Sequence, residues 1–196
     1  MNYSLILRII GIMLILFSIM LFIPIIVSII YNDGNLSTFL LSSLIILITG
    51  LILYYPNKNS KNDIKTKEGF LIVVAFWFIL SIFGSLPFML DKQLTLSFTD
   101  AFFESVSGWT TTGATIITSL DILSPSILIY RQELQWLGGM GLVILAIAIL
   151  PMLGVGGNLL YKAESTGPIK DTKISPRIAE TAQSLWSIYL GLTILC

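Results

Sequence analysis

Residues 5–30 form an apolar run broken by a single charge, Arg8. About 20 predominantly apolar residues in a helix suffice to cross a hydrocarbon core about 30 Å thick, so this run can span a membrane. It is longer than the apolar core of a secretory signal and has no small-x-small cleavage site. Comparable runs follow at 36–55, 70–90 and 127–153. Hydrophobic residues make up 55% of the 196 residues and charged residues only 11%, against roughly 25% charged in an ordinary soluble domain. The expected class is an all-α integral membrane protein surrounded by membrane lipid.

Composition also removes functions. The formal net charge is zero, which argues against a nucleic-acid partner. There is no histidine, and Cys196 is the only cysteine. Disulfides within the chain, Cys/His zinc sites and histidine-dependent catalysis are excluded. The few carboxylates lie mostly between the apolar runs. No enzyme and no cofactor are expected.

One polar stretch sits between the third and fourth apolar runs: Ser107-Gly108-Trp109-Thr110-Thr111-Thr112-Gly113-Ala114-Thr115. The residues before it, 97–107, read as a short helix. Ser97 and Asp100 form a Ser-x-x-Asp start signal. Phe98, Phe102 and Trp109, with Ala101 and Phe103, recur at roughly helical spacing, and Gly108 is a natural stop. Such a helix is only about 16 Å long at about 1.5 Å per residue. It can enter a membrane but not cross it.

Non-helical backbone at membrane depth survives only when buried in protein or lining a wet cavity. Successive threonines favour an extended backbone, and Gly113 permits a positive φ. Together they can aim consecutive carbonyl oxygens in one direction, where they replace a cation's hydration shell. The half-helix directs the negative end of its dipole at the same place. The sequence therefore predicts a monovalent-cation filter at 110–114.

The remaining segments set the topology. Pro24 bends or kinks the first span near its outer end. Residues 31–35 are a tight turn, so 1–56 make a transmembrane hairpin. The segment 57–69 is lysine-rich, with Lys58, Lys61, Lys65 and Lys67. A second basic loop, 158–175, carries Lys162, Lys170 and Lys173, with Arg177 just beyond it. Short cytoplasmic loops are enriched in Lys and Arg, so both loops are assigned to the cytoplasm together with the N-terminus. Two spans, 70–90 and 127–153, separate them. The half-helix and Thr-Gly run must then enter and leave on the external face, as a re-entrant loop. Arg131 and Glu133 fall in the first turns of the fourth span, either as an interfacial or structural pairing or at a pore mouth. Gly138, Gly139 and Gly141 either pack closely against the re-entrant segment or form a hinge. Ser175-Pro176 looks like a helix start, and 176–196 is expected to be the cut first helix of a second unit.

These motifs, with Gln135-Trp136-Leu137-Gly138-Gly139-Met140-Gly141, Leu150-Pro151-Met152-Leu153-Gly154-Val155-Gly156-Gly157, Ala163-Glu164-Ser165-Thr166-Gly167-Pro168 and Pro176-Arg177-Ile178-Ala179-Glu180-Thr181-Ala182, resemble the membrane subunits of bacterial Trk potassium-uptake systems. These are the TrkH-type members of the Trk/Ktr/HKT cation transporter family. The resemblance covers the second half of the chain by motif and the first half by hydropathy and order.

The resemblance implies a helix pair followed by four non-identical helix–pore loop–helix repeats around one pore. On that plan residues 70–157 are the first repeat, and the chain is either an N-terminal fragment that conducts nothing alone or one of four copies that assemble; the unfinished last span favours the fragment. It implies potassium uptake across the bacterial inner membrane, a homodimer, and a cytoplasmic nucleotide-binding regulatory partner of the TrkA type. It implies that the carbonyls of Thr110, Thr111, Thr112 and Gly113, with Ala114 beside them, bind potassium. Thr111 and Thr112 carry the most weight as K+ ligands. Two other readings compete: a secondary cation symporter with a broken-helix site, and a non-conducting membrane scaffold.

Overall fold

The computed structural model describes residues 3–58, 66–152 and 175–195. Helices α1 (Tyr3–Met20) and α2 (Phe22–Tyr31) make the first span. Helix α3 (Leu36–Tyr54), ending in a 3-10 turn at Tyr55–Asn57, makes the second. Helices α4 (Thr66–Gly84) and α5 (Leu86–Leu90) make the third. A short helix α6 (Phe98–Trp109) and a 3-10 turn at Leu120–Ile122 precede α7 (Pro125–Met152), and α8 covers Ser175–Leu195. The described residues contain no strand, and three of these spans are long and apolar enough to cross a membrane. The protein is a multi-pass, all-helical membrane protein. Residues 59–65 and 153–174, which hold most of both lysine-rich loops, lie outside the described residues.

The chain forms two units, Met1–Gly138 and Gly139–Cys196. The second contains the end of α7 and the helix α8, which starts at the Ser175-Pro176 signal. Within α8, Ser187 and Thr193 return their hydroxyls to the carbonyls of Gln183 and Tyr189, at 3.0 and 2.8 Å.

In the first unit, both interrupted spans break one turn or less before a proline. Pro24 has no N–H to offer Met20, and the helix is broken at Leu21. Pro87 likewise has none for Phe83, and the break falls at Ser85, whose hydroxyl bonds the Ile82 carbonyl at 2.7 Å. In that second break the Gly84 carbonyl accepts the Tyr130 hydroxyl at 2.7 Å. Tyr130 is fully buried, with its ring against Phe39 and Phe88.

Helices α1 and α3 cross where Gly11 meets Gly50. A Cβ on Gly11 would lie 2.8 Å from the Gly50 carbonyl oxygen. Small residues at such crossings let helix backbones approach in lipid.

The turn between α2 and α3 is tied to the start of α7. Asp33 Oδ1 accepts the Ser28 hydroxyl at 2.6 Å and the Asn35 N–H at 3.1 Å. Its Oδ2 accepts the Ser126 N–H at 3.0 Å, in the first turn of α7, where a negative charge suits the helix dipole. Asn35 donates to Ser124 at 2.6 Å. Partial burial pushes the Asp33 carboxyl up. Hydrogen bonds from Ser126 and Ser28 and the backbone N–H groups of Asn35 and Ser126 outweigh this and hold it below the usual 3.8. Thr38 donates to the Leu90 carbonyl at 3.3 Å. The turn 32–35, the end of α5 and the start of α7 therefore share one end of the unit.

Candidate functional site

The half-helix expected from sequence is α6. Its cap is the one the sequence marks. Ser97 Oγ accepts the Asp100 N–H at 3.2 Å and donates to Asp100 Oδ2 at 2.7 Å. The helix runs two residues past the expected 107, so that Trp109 closes it. Trp109 is buried at the tip, edge-to-face with Phe17 of α1 and Phe76 of α4, at 5.3 and 5.9 Å between centroids. Of the other aromatic positions, Phe102 packs on Phe78, while Phe98 and Phe103 are exposed.

Helix α6 lies along α7 in a matched stripe. Glu104 meets Arg131, Gly108 meets Leu134, and the Trp109 carbonyl meets Gly138. Residue numbers rise together along the contact, so the two helices run in the same direction. A Cβ on Gly138 would overlap the Trp109 carbonyl oxygen. The close packing expected of this glycine is therefore present, against the end of α6.

The backbone after Trp109 departs from the expected extended run. The Thr111 N–H bonds the Gly108 carbonyl at 2.9 Å, and the Thr112 N–H bonds the Ser107 carbonyl at 3.0 Å. This pair of bonds is the Schellman ending of a helix, which requires a left-handed residue between cap and exit. Thr111 holds that position with φ 55°. Glycine is usual there, and a β-branched residue is an outlier that costs about 1–2 kcal/mol. The helix ending thus overrides the extended preference of threonine.

The sign of φ alternates onward. Thr110 is at −83°, Thr111 at 55° and Gly113 at 74°, and Thr112 is not among the positive-φ residues. Alternation of this kind gathers N–H groups on one side of the chain. The N–H groups of Thr110, Thr111 and Thr112 all bond back to carbonyls of α6. In a trans peptide, each C=O points opposite to the next N–H, and no peptide here is cis. The Thr110 and Thr111 carbonyls therefore point away from the helix end. Among the described residues, no hydrogen bond engages the carbonyl oxygens of 110–113, and all four residues are exposed. Ala114 differs, because its carbonyl accepts the Ser107 hydroxyl at 2.6 Å. The threonine hydroxyls are partly occupied within the loop. Thr110 Oγ1 reaches the Val106 carbonyl at 2.8 Å and Thr112 Oγ1 at 2.7 Å.

Sequence reasoning missed Glu104. The chain returns from 110–113 antiparallel to α6, and Glu104 receives it. Oε1 accepts the Thr115 hydroxyl at 2.5 Å and the Ile116 N–H at 2.7 Å. Oε2 accepts Arg131 Nε and Nη2 at 3.2 and 3.0 Å. Glu104 is 2% exposed and Arg131 7%. Arg131 is thus in a structural pairing, with a partner on the half-helix. Glu133, also buried, meets no donor among the described residues. The signal available in the sequence was a second carboxylate on the half-helix, beyond the Ser97–Asp100 cap that accounts for the first, since a charge buried there must be paired.

The family model for the TrkH cation transport protein matches residues 35–196. Over all 196 residues the chain is 53% identical to the Trk system potassium uptake protein TrkH of Escherichia coli K12 and 52% identical to that of Halomonas elongata, covering 41% of each. It is 40% identical over 186 residues to the E. coli protein TrkG, covering 95% of this chain and 38% of that one. The crystal structure of the potassium transporter TrkH from Vibrio parahaemolyticus superposes with TM-score 0.86 at 47% identity, over all of this chain and 38% of the other. The chain spans about two fifths of the length of the curated relatives it matches.

Proposed function

Since this chain belongs to the TrkH family of cation transport proteins, we propose that it contributes the first of the pore loops through which a Trk system takes up potassium. The observation that carries the reading is the alternating backbone at 110–113, with four carbonyl oxygens that no hydrogen bond engages among the described residues, at the end of a half-length helix. Carbonyl oxygens so placed replace the water around a monovalent cation. Thr111 and Thr112 supply the central ligands, with Thr110 and Gly113 on either side. The Ala114 carbonyl, shared with Ser107, closes the set. The relatives are Trk system potassium uptake proteins, which favours potassium uptake over the symporter and scaffold readings. On this reading the protein transports and does not catalyse. It works as a homodimer with a nucleotide-binding cytoplasmic subunit.

The test uses a chimera in which these 196 residues replace the matching segment of the E. coli relative. Gly113 has open space around its Cα but φ +74°, so Gly113→Ser adds backbone strain without a clash, about 1–2 kcal/mol. A tenfold change in an equilibrium requires about 1.4 kcal/mol. Gly113→Ser should therefore lower the potassium-to-sodium uptake ratio roughly tenfold, and Thr111→Ser and Thr112→Ser should lower it less. Wild-type selectivity in Gly113→Ser, with selectivity lost in a threonine variant, would transfer the ligand role to side-chain hydroxyls.

We further propose that the protein lies in the inner membrane with 57–69 and 158–175 in the cytoplasm and 91–96 and 116–126 outside. The lysine asymmetry supports it, as does the shared end formed by 32–35, Leu90 and Ser124. With Cys196 replaced by serine, Lys61→Cys and Asp121→Cys should label from opposite faces of the membrane. Labelling of both from one face contradicts the assignment.

A further inference from the structure

We propose that Glu104 is a positioning residue for ion selection: its carboxylate, fixed by Arg131, holds the return limb of the loop at the spacing the 110–113 carbonyls require. This inference rests on the filter reading above.

The two oxygens of Glu104 divide the work. Oε2 takes both guanidinium bonds from α7, and Oε1 takes both bonds from the return limb. A charged acceptor with a planar guanidinium fork makes short, directional bonds. The carboxylate is thereby locked to two helices that are already packed through Gly108–Leu134 and Trp109–Gly138. One turn along α6, Ser107 takes the Ala114 carbonyl at 2.6 Å. Positions 104 and 107 lie on one face of the helix, so the limb is held at Ala114, Thr115 and Ile116 in succession. Between the Schellman ending at Thr111–Thr112 and these anchors, only Gly113 is unheld.

A brace at both ends matters because the segment between is strained and exposed. Thr111 sits in a left-handed conformation that a β-branched residue resists, held on the helix side by the two bonds that close α6. Thr115 and Ile116 are exposed residues, with water as an alternative partner, so burial alone does not keep them at Glu104. The carboxylate's charge and its fixed orientation do. A neutral side chain of the same shape accepts fewer and weaker bonds, and the limb gains freedom while the helices stay packed.

The test again uses the chimera, with rubidium and sodium uptake measured at matched membrane abundance alongside thermal melting of the purified protein. Glu104→Gln should lower the rubidium-to-sodium ratio about tenfold. Thr115→Val removes one bond to Oε1, together with the bond the Ile117 N–H makes to the same hydroxyl, and leaves the ion pair. It should lower the ratio about threefold with the melting temperature unchanged. Leu134→Ala, on the same α6–α7 seam but away from the limb, should lower the melting temperature and leave the ratio intact. If Glu104→Gln does not accumulate, Thr115→Val decides. A wild-type ratio in Thr115→Val, or a ratio that falls equally in Leu134→Ala, overturns the proposal. Gly113→Ser separates the two levels. If it loses selectivity while Thr115→Val keeps it, the brace is wrong and the filter stands. If neither changes the ratio, the filter reading fails and the brace with it.

Discussion

Gly138→Ala should prevent α6 from docking on α7. The added methyl would overlap the Trp109 carbonyl oxygen and lie 2.7 Å from its carbon and 3.0 Å from its Cα. All three atoms are backbone, so no side-chain rotation relieves the contact. The Trp109 ring cannot retreat either, being held between Phe17 and Phe76. The helices must part by about an ångström or more to restore an ordinary contact, opening the seam at Leu134 and Arg131. Overpacking of this kind costs about 1–3 kcal/mol and occasionally more. With only backbone to yield, the upper end, about 3 kcal/mol, is expected. Much of the margin of a protein stable by about 5–15 kcal/mol is then gone. The measurement is membrane abundance and thermal melting of the chimera. Gly138→Ala should melt well below the parent, and Gly138→Leu should not accumulate. A parent-like melting curve for Gly138→Leu would show that the two helices do not meet there.

The second large effect follows from the buried ion pair. Arg131→Met leaves the Glu104 carboxylate without its cation in a site where its side chain is 1% exposed. Breaking a buried pair from one side costs about 3–5 kcal/mol, whereas replacing both partners with apolar residues is often neutral. Arg131→Met alone should therefore lose most of its folded protein in the membrane. The double variant Glu104→Met with Arg131→Met should recover abundance. It should not recover selectivity, because Thr115 and Ile116 remain without their acceptor. Full recovery of both would make the pair a packing device with no bearing on the ion path.

What the sequence made legible was local. The apolar runs mark the spans because lipid allows little else of that length. Pro24 marks a break because it removes one helix hydrogen bond. Ser97 and Asp100 mark the start of α6, and Gly113 marks a positive φ. The half-length of α6 follows from these signals without any tertiary information. What stayed hidden was set by partners distant in the chain. Glu104 and Arg131 lie 27 residues apart, and Asp33 and Ser126 lie 93 apart. No spacing rule on one helix links such pairs. Thr111 was read as extended because its branched side chain prefers that. The hydrogen bonds that close α6 decide otherwise, two backbone bonds together offsetting a left-handed cost of about 1–2 kcal/mol. The exposure of Phe98 and Phe103 was also beyond a periodicity argument. Helical spacing places residues on a face but does not say which face meets protein and which meets lipid.

The central claim is that potassium is held by backbone carbonyls of 110–113. The most direct measurement is the anomalous scattering of rubidium in crystals of the chimera grown with rubidium in place of potassium. A peak within coordination distance of the Thr111 and Thr112 carbonyl oxygens, lost when sodium replaces rubidium, is the predicted result. A peak at the threonine hydroxyls, or none along 110–113 while rubidium is bound elsewhere in the pore, would contradict it.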